Sequence, residues 1–514
     1  MSRAPLSRAI YSNFAAQGVA AALAFVISPL LVRGLGTERY GVWALVAEIL
    51  AYYLMLDFGV RGAVAHFVAR HLAKSDSIRA NATLATAFWI LLPIGILASA
   101  FGCGLAYFLP DLFGIESISR REIFVAMSIM ALTIGLSLPM ETFSAALRGS
   151  QRLDLINAVE VIGQLVSGLA ILLVLREGGL LIAVTLAQAS ARVLRWVLLA
   201  VLASRHIPGF SIWPRNFRRA ESTGLLRLGG RKIAIDIAQL ISSRTDLLVV
   251  GSFLGVQWVA FYSLARMVPL QISAMNLSIT QAFTPWLTDL HAREKSNELR
   301  RSFLFGSSVS VLYSLLSAVC VGGFIHYFLR LWVGPQFVEG DLTMRSDVVA
   351  AILMLALLPQ MALSTSSQLI FAAGQHGFLA RLRSIEALLN ILLSVLLVQR
   401  YGLAGVALGT LIPATLGQLI FVPRFISKQF GINSKDWYAH VMLRPVLSAI
   451  VLTAVVLAVL AVREPLSWTI FFVETGSVAC AAALIGMTIG LRADQRKVIL
   501  TRLGSSWAKA ASAA

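Results

Sequence analysis

The sequence lacks the common signatures of an enzyme. No Gly-x-x-x-x-Gly-Lys-Ser/Thr phosphate loop occurs, so nucleotide hydrolysis by that route is excluded. There is no Asp-x-Asp pair and no soluble domain, which disfavours a nucleotide-sugar glycosyltransferase. The seven histidines are scattered without metal-ligand spacing. If the apolar runs described below span a membrane, the loops between them on its outer side are too short for a polymerase or a ligase of lipid-linked sugars. We therefore expect no catalytic activity and no cofactor.

Charge and cysteine are scarce as well. Only 13% of the 514 residues are charged, and the three cysteines (Cys103, Cys320 and Cys480) each lie inside an apolar run. Such cysteines are expected to be buried small hydrophobes rather than disulfides or metal ligands. The net charge of +18 suggests nucleic acid as a partner. We reject this interpretation because the basic residues lie in loops on one side of the membrane that the apolar runs predict.

Long apolar runs fill the rest of the chain. Hydrophobic residues make up 58% of the sequence and the mean hydropathy is +0.80. Runs of ~20 continuous apolar residues predict transmembrane helices and exclude a β-barrel, whose strands would alternate over ~10 residues. We therefore predict an all-α polytopic membrane protein with about fourteen spans. Residues 2–33 are predicted to form the first span rather than a cleaved signal peptide, because the apolar region is too long and contains Asn13 and Gln17.

The distribution of lysine and arginine predicts the orientation and the domains. Most of them lie in alternate loops, which places those loops and both termini in the cytoplasm. The longest such loop, Ser204 to Lys232, is basic and contains Trp213. We interpret it as an interfacial linker held by anionic lipid headgroups, with a docking site for a partner enzyme as the alternative. The predicted domains are an N-terminal six-helix bundle (1–203), this linker (204–232), a C-terminal six-helix bundle (233–428), an added transmembrane hairpin (429–491) and a cytoplasmic tail (492–514).

The two halves of the chain resemble each other. Leu254-Gly255 repeats Leu35-Gly36, and an apolar run follows both. Gly149-Ser-Gln151 and Gly374-Gln375 are each followed by a glutamate, Glu160 and Glu386. Gly178-Gly179 is matched by Gly402 and Gly405. Repeated halves with a substrate site between them are typical of transporters.

Ionisable residues inside the apolar runs are the candidate functional residues. A charged side chain in hydrocarbon costs roughly 2.5–3.5 kcal/mol on insertion scales, so it is expected to face a protein interior or a wet cavity. Guanidinium groups suit a phosphate because they bind two oxygens at once, and carboxylates can take up and release a cation. The candidates for an anionic headgroup are Arg61, Arg244 and Arg266, and those for ion coupling are Asp57, Asp236, Asp246 and Glu48. Asp57 and Arg61, spaced i,i+4 on one helix, are expected to be able to pair.

A second set of glutamates is interpreted as structural. Glu141, Glu160 and Glu386 lie toward the inner ends of their spans. They are expected to be neutralised by arginines nearby in the sequence, namely Arg148, Arg152, Arg381 and Arg383.

Four segments resemble a known family. They read GLGTERYGVWAL, LDFGVRGAVAHFVAR, ALRGSQR, and RTDLLVVGSFLG followed by VAFYSLARMV. They are similar to the polysaccharide-transporter branch of the multidrug/oligosaccharidyl-lipid/polysaccharide exporter superfamily, over residues 8–428. The resemblance implies two pseudo-symmetric six-helix bundles around a central cavity, with alternating access. It implies transfer of an undecaprenyl-pyrophosphate-linked oligosaccharide from the inner to the outer leaflet of a bacterial inner membrane, coupled to a proton or sodium gradient.

Other functions remain open at this stage. A multidrug/cation antiporter would favour a cavity with acidic excess, and a peptidoglycan-precursor lipid flippase would differ only in cargo. A membrane-bound polymerase or glycosyltransferase and a scaffold are weaker alternatives. The expected partners are a lipid-linked oligosaccharide and membrane lipids, with a polysaccharide polymerase and glycosyltransferases as further partners and no nucleic acid.

Overall fold

The computed structural model describes residues 4–57, 59–219, 221–225, 244–281, 283–432 and 437–497. Within these residues the protein is built of helices and has no β-strand, which confirms the predicted all-α class. The chain divides into two compact units, Met1–Ser263 and Leu264–Ala514. The predicted six-helix bundles, linker, hairpin and tail use other boundaries and stay predictions, and part of the linker (226–232) lies outside the described residues.

The N-terminal unit consists of long apolar helices joined by short turns. In chain order its helices are α1 (Ala4–Ala51), α2 (Val60–Ala73), α3 (Ser77–Leu112), α4 (Arg120–Gly149), α5 (Leu153–Arg176), α6 (Leu181–His206) and α7 (Asp246–Leu254), followed by the start of α8 (Val256–Gln281). Helix α3 begins at a cap in which the Asp76 carboxylate accepts a hydrogen bond from the backbone N–H of Arg79. One buried cluster, which includes Val64, Leu84 and Leu147, holds α2, α3 and α4 together.

The C-terminal unit has the same character. Its helices are the rest of α8, then α9 (Thr284–Ala292), α10 (Ser296–Trp332), α11 (Ser346–Ala362), α12 (Ser364–Ala372), α13 (His376–Leu416), α14 (Val422–Phe430), α15 (Leu443–Val462) and α16 (Trp468–Ile485). Helices α15 and α16 pack on α10 through an aromatic and aliphatic cluster that includes Phe324, Leu452 and Phe471. At the start of α11 the buried Asp347 binds Arg345 at 2.6 Å and His326 at 2.8 Å.

Nine helices in the described parts of the chain are long and apolar enough to cross a membrane, or up to ten if the bent pair α11–α12 is one span. The longest of these stretches, residues 377–430, has 54 residues, covers most of α13 and all of α14, and is broken at Gly402 (φ 49°). At 1.5 Å per residue it would reach about 80 Å, far beyond a hydrocarbon core of about 30 Å, so it holds more than one span. The protein is thus a multi-pass membrane protein, and the predicted count of fourteen stays a prediction.

The repeat predicted from the sequence recurs in the backbone. Gly36 has φ 80° and ψ 165°, and Gly255 has φ 97° and ψ 162°. Only glycine adopts this conformation readily, because a Cβ would be strained there. The helix break at Gly36 and the junction between α7 and α8 at Gly255 therefore have one geometry. Likewise, the α4–α5 turn and the α12–α13 turn close with equivalent backbone hydrogen bonds, Arg152 N to Leu147 O and Gln375 N to Ile370 O.

Two local expectations are corrected. The second span is not one straight helix: a 3-10 turn (Tyr52–Asp57) and the left-handed Gly59 (φ 69°) separate α1 from α2. The i,i+4 geometry assumed for Asp57 and Arg61 therefore does not apply. The three cysteines, expected to be buried, are not: Cys480 is exposed and the other two are half-buried.

Candidate functional site

A cavity of about 450 Å³ opens between four helices of the N-terminal unit. Its wall is formed by the second segment of α1, the middle of α4, the first half of α5 and the middle of α6. The wall is polar in an otherwise apolar bundle. The polar residues that line it are Glu160, Gln164, Ser167, Gln188, Arg192 and Arg195, together with the indole of Trp43.

Arg195 is the centre of a charged network in the wall of this cavity. Its guanidinium contacts Glu141 of α4 and Glu160 of α5, each at 2.8 Å. Helix α6 carries Arg195 to these two helices because it packs against both of them. The three side chains are half-buried or more, with side-chain exposures of 16% for Glu141, 20% for Arg195 and 40% for Glu160. A guanidinium with two carboxylates satisfies its donors well and ties three helices together.

Arg192 stands one helical turn before Arg195 on the same face of α6. Residues three apart in a helix are surface neighbours, so the two guanidinium groups belong to one cavity wall. The Arg192 side chain is exposed, and no hydrogen bond or ion pair to it occurs within the described part of the chain. Arg195 already binds Glu141 and Glu160. Arg192 therefore contributes a positively charged hydrogen-bond donor to the cavity wall.

Amides and an indole surround the two arginines. The Trp43 indole N–H donates a hydrogen bond to the side-chain oxygen of Gln188 at 3.2 Å, which fixes the ring in the wall. Gln164 donates from its side-chain nitrogen to Glu160 at 3.3 Å. The side-chain oxygen of Gln164 is buried and accepts no hydrogen bond from the described residues. A cavity with guanidinium, amide and indole groups can bind a ligand that is anionic at one end and hydroxyl-rich at the other.

The structure brings together two of the predicted site residues. Arg244 donates to the Glu48 carboxylate at 3.3 Å. Glu48 is almost fully buried, with a side-chain exposure of 3%, whereas Arg244 is 38% exposed. Nearby, the hydroxyls of Tyr52 and Thr245 lie 3.5 Å apart. One residue predicted to bind a headgroup and one predicted to couple an ion thus form a single ion pair.

Asp246, in the same region, binds a different partner. It is buried in the first turn of α7 and accepts a hydrogen bond from the Tyr262 hydroxyl at 2.7 Å. Arg244 thus binds Glu48 while Asp246 binds Tyr262.

The other predicted residues are placed in part. Arg61 lies in the first turn of α2 and Arg266 lies in α8; both are half-buried and both interact with other groups. Asp57 ends the 3-10 turn, and its side chain lies outside the described part of the structure. Asp236 also lies outside the described residues.

The glutamates interpreted as structural have other partners than expected in the N-terminal unit. Arg195, which is distant in sequence, binds Glu141 and Glu160, whereas Arg152 binds Asp154 at 3.1 Å. The expectation of neutralisation by sequence neighbours was wrong here, because helix packing brings α6 to α4 and α5. For Glu386 it was right, since Arg383 binds it at 2.8 Å.

Sequence reasoning missed Arg192 and Arg195. Both lie in the middle of the sixth apolar run, where the cost of burying a charge marks a residue for attention. That rule had selected Glu48 and Arg266, and it applies equally to these two arginines. No group of three or more histidine, cysteine, aspartate or glutamate residues that could hold a metal ion occurs among the described residues.

The chain matches known proteins over most of its length. Residues 6–291 match a family model described as polysaccharide biosynthesis protein. The membrane protein EpsK of Bacillus subtilis is 22% identical over 95% of this chain and 97% of its own. A Shigella flexneri protein named as an O-antigen transporter is 22% identical over 76% of this chain and 90% of its own.

Solved structures with a similar fold include two membrane transporters. The lipid II flippase MurJ in an inward closed conformation is 15% identical, with a TM-score of 0.70 over 93% of this chain and 97% of its own. An inward-facing multidrug resistance MATE family transporter of the MOP superfamily is 14% identical, with a TM-score of 0.65 over 79% of this chain and 95% of its own. At sequence identities of 14% and 15%, the similarity to these two structures shows a common fold only.

Proposed function

The chain belongs to the polysaccharide biosynthesis protein family, and from this premise we propose that it is a flippase for undecaprenyl-pyrophosphate-linked oligosaccharide. It carries the glycan-bearing lipid from the inner to the outer leaflet of a bacterial inner membrane by alternating access, with both termini in the cytoplasm. The exported glycan serves an O-antigen, a capsule or an exopolysaccharide. The protein is a transporter and not an enzyme.

The observation that carries this proposal is the cavity of the N-terminal unit. A pyrophosphate and its sugars cannot cross hydrocarbon without a polar path, since each unpaired charge costs several kcal/mol there. The Arg192 guanidinium offers the pyrophosphate a charge-assisted, two-pronged contact. Gln164, Gln188 and Trp43 offer the sugar hydroxyls and rings polar partners and a flat surface.

The same cavity argues against a multidrug/cation antiporter. Glu141 and Glu160 share one guanidinium, that of Arg195, so these three side chains together carry one net negative charge. The Arg192 charge brings the sum of these four side chains to zero, so they lack the acidic excess that a cationic drug would favour. A peptidoglycan-precursor lipid flippase shares the anionic headgroup, and the cargo alone separates it from the proposal.

The residues selected from the sequence keep a place in the proposal. Arg61, Arg244 and Arg266 are proposed to contact the headgroup at other stages of transport, and Glu48, Asp57, Asp236 and Asp246 to take part in ion coupling. The Glu48–Arg244 pair supports this idea, because a buried carboxylate that loses its guanidinium to an arriving phosphate becomes a site for a cation. To test this idea, the proton or sodium gradient is collapsed in cells that carry Asp246→Asn. If export remained as sensitive to the collapse as in the wild type, Asp246 would not take part in the coupling.

A depletion experiment tests the function. After removal of the protein, lipid-linked glycans are assayed by leaflet with an impermeant probe on intact spheroplasts. The proposal predicts accumulation on the cytoplasmic face, and mass spectrometry of the lipid then names the cargo. Accumulation on the outer face would point to a later step, and an unchanged lipid pool would favour an antiporter. The same assay on Arg244→Ala and Arg266→Ala tests those two residues separately.

A further inference from the structure

A loop after α6 folds back along the N-terminal unit instead of projecting from it. We name it the docked loop and define it as residues Ile207–Arg219. Asn81 of α3 holds its first part, donating to the Pro208 carbonyl at 3.0 Å and accepting from the Ser211 N–H at 3.2 Å. Ile207 is buried against the bundle, and Phe210 packs on Phe143 at a ring distance of 6.0 Å.

Two more side chains of α3 hold the second part of the docked loop. The Trp89 indole N–H donates to the Ile212 carbonyl at 2.9 Å, and the Arg218 N–H donates to the Thr86 hydroxyl at 3.0 Å. Asn81 and Thr86 are buried, which shields these bonds from solvent. Because side chains of the bundle fix the backbone at four places, the outer surface of the docked loop is presented in a defined conformation.

That outer surface combines exposed aromatic rings with arginines. Trp213 is 72% exposed and Phe217 is 42% exposed. Arg215, Arg218 and Arg219 are also exposed, so five of seven consecutive residues are exposed aromatic or cationic side chains. Large exposed aromatic side chains on a rigid loop are unfavourable in water but typical of a membrane–water boundary.

The position of the loop along α3 agrees with such a boundary. Trp89 lies about 18 Å from the start of α3 at 1.5 Å per residue. Helix α3 has 36 residues and is therefore about 54 Å long, so it exceeds a hydrocarbon core of about 30 Å at its ends. The docked loop thus contacts α3 near the level where hydrocarbon gives way to headgroups.

We propose that the docked loop is a binding site for acidic phospholipids. Trp213 and Phe217 insert among the headgroups and upper acyl chains, while Arg215, Arg218 and Arg219 bind the phosphates. Charge decides between the lipid classes, because a zwitterionic headgroup offers the same phosphate with a compensating cation. Each arginine near an anionic surface is expected to strengthen binding about fivefold. This site is separate from the cargo cavity and does not depend on the proposed cargo.

The first test uses the full-length protein in nanodiscs that contain brominated lipids, which quench nearby tryptophan. The chain has 10 tryptophans, so the signal of Trp213 is the difference between the wild type and Trp213→Phe. The proposal predicts stronger quenching of Trp213 by brominated phosphatidylglycerol than by brominated phosphatidylcholine. Equal quenching by both lipids would overturn the charge selection. No quenching by either would overturn the site and favour an acidic protein as the partner.

The second test uses matched charge removals and native mass spectrometry of retained phosphatidylglycerol. The triple variant Arg215→Gln, Arg218→Gln, Arg219→Gln is compared with a control that removes Arg120, Arg121 and Arg176 in the same way. The control arginines lie at the start of α4 and the end of α5, at the opposite ends of those helices from the α6–loop junction. The proposal predicts loss of about fivefold affinity per arginine in the first variant and little change in the control. Equal retention in the two variants would overturn it.

Discussion

The two halves of the chain carry corresponding glutamates whose surroundings differ. In the N-terminal unit, Glu160 is 40% exposed, borders the cavity and binds Arg195. In the C-terminal unit, Glu386 is only 5% exposed and is held by Arg383 and Gln418, each at 2.8 Å. The corresponding glutamate therefore borders an open polar site in the N-terminal half and makes a closed packing contact in the C-terminal half.

Close backbone approach explains why the C-terminal site is closed. A Cβ added at Gly417 would lie 2.2 Å from a carboxylate oxygen of Glu386, so any larger residue there would require the Glu386 side chain or the helix to move. In the N-terminal unit, a Cβ added at Gly163 would meet Arg195 at 3.7 Å, an ordinary contact. The repeat thus conserves its backbone geometry, as at Gly36 and Gly255, while each half has its own polar chemistry. We propose that the open polar site of the N-terminal half takes part in cargo binding.

The largest effect on stability is expected for Arg195→Ala. The substitution leaves Glu141 and Glu160 without their guanidinium in a half-buried site, which should cost roughly 3 kcal/mol of unfolding free energy. The measurement is the denaturation of the purified protein. Adding Glu141→Gln and Glu160→Gln to Arg195→Ala removes the uncompensated charge and should restore much of the stability. A stable single variant would show that the network contributes nothing.

A smaller effect is expected for Gly417→Ala, and Gly163→Ala, at a glycine that faces Arg195 beside the cavity, serves as the comparison. The added methyl forces Glu386 or the helix to move and should cost about 1–3 kcal/mol, which lowers the thermal unfolding midpoint. Gly163→Ala meets no tight contact and gains helix propensity, so its midpoint should stay the same or rise slightly. If the two variants melted alike, the contrast between a closed and an open site would not hold.

Much of the fold follows from composition and local pattern. Apolar runs identify the helical class, and paired glycines identify the repeat, because chain-local properties determine both. The partners of Glu141 and Glu160 could not be read in this way, since they depend on how α6 packs on α4 and α5. The cost of burying a charge also marks Arg192 and Arg195, because both lie in the middle of the sixth apolar run. The pair Glu48–Arg244 also needed the fold, as its members are far apart in sequence.

The central claim is that Arg192 binds the anionic group of the cargo, and Arg192→Gln tests it most directly. Because Arg192 makes no hydrogen bond or ion pair to the described residues, the unfolding midpoint of the purified variant should equal that of the wild type. The measurement is the leaflet distribution of lipid-linked glycan in cells where the variant, at wild-type abundance, replaces the native protein. Losing a charge-assisted contact worth about 1.5–3 kcal/mol should reduce export about tenfold or more. Arg192→Lys keeps the charge but lacks the two-pronged donor geometry of a guanidinium, so its export should lie between that of the wild type and that of Arg192→Gln. Wild-type export by Arg192→Gln would contradict the assignment of the cargo site to this cavity.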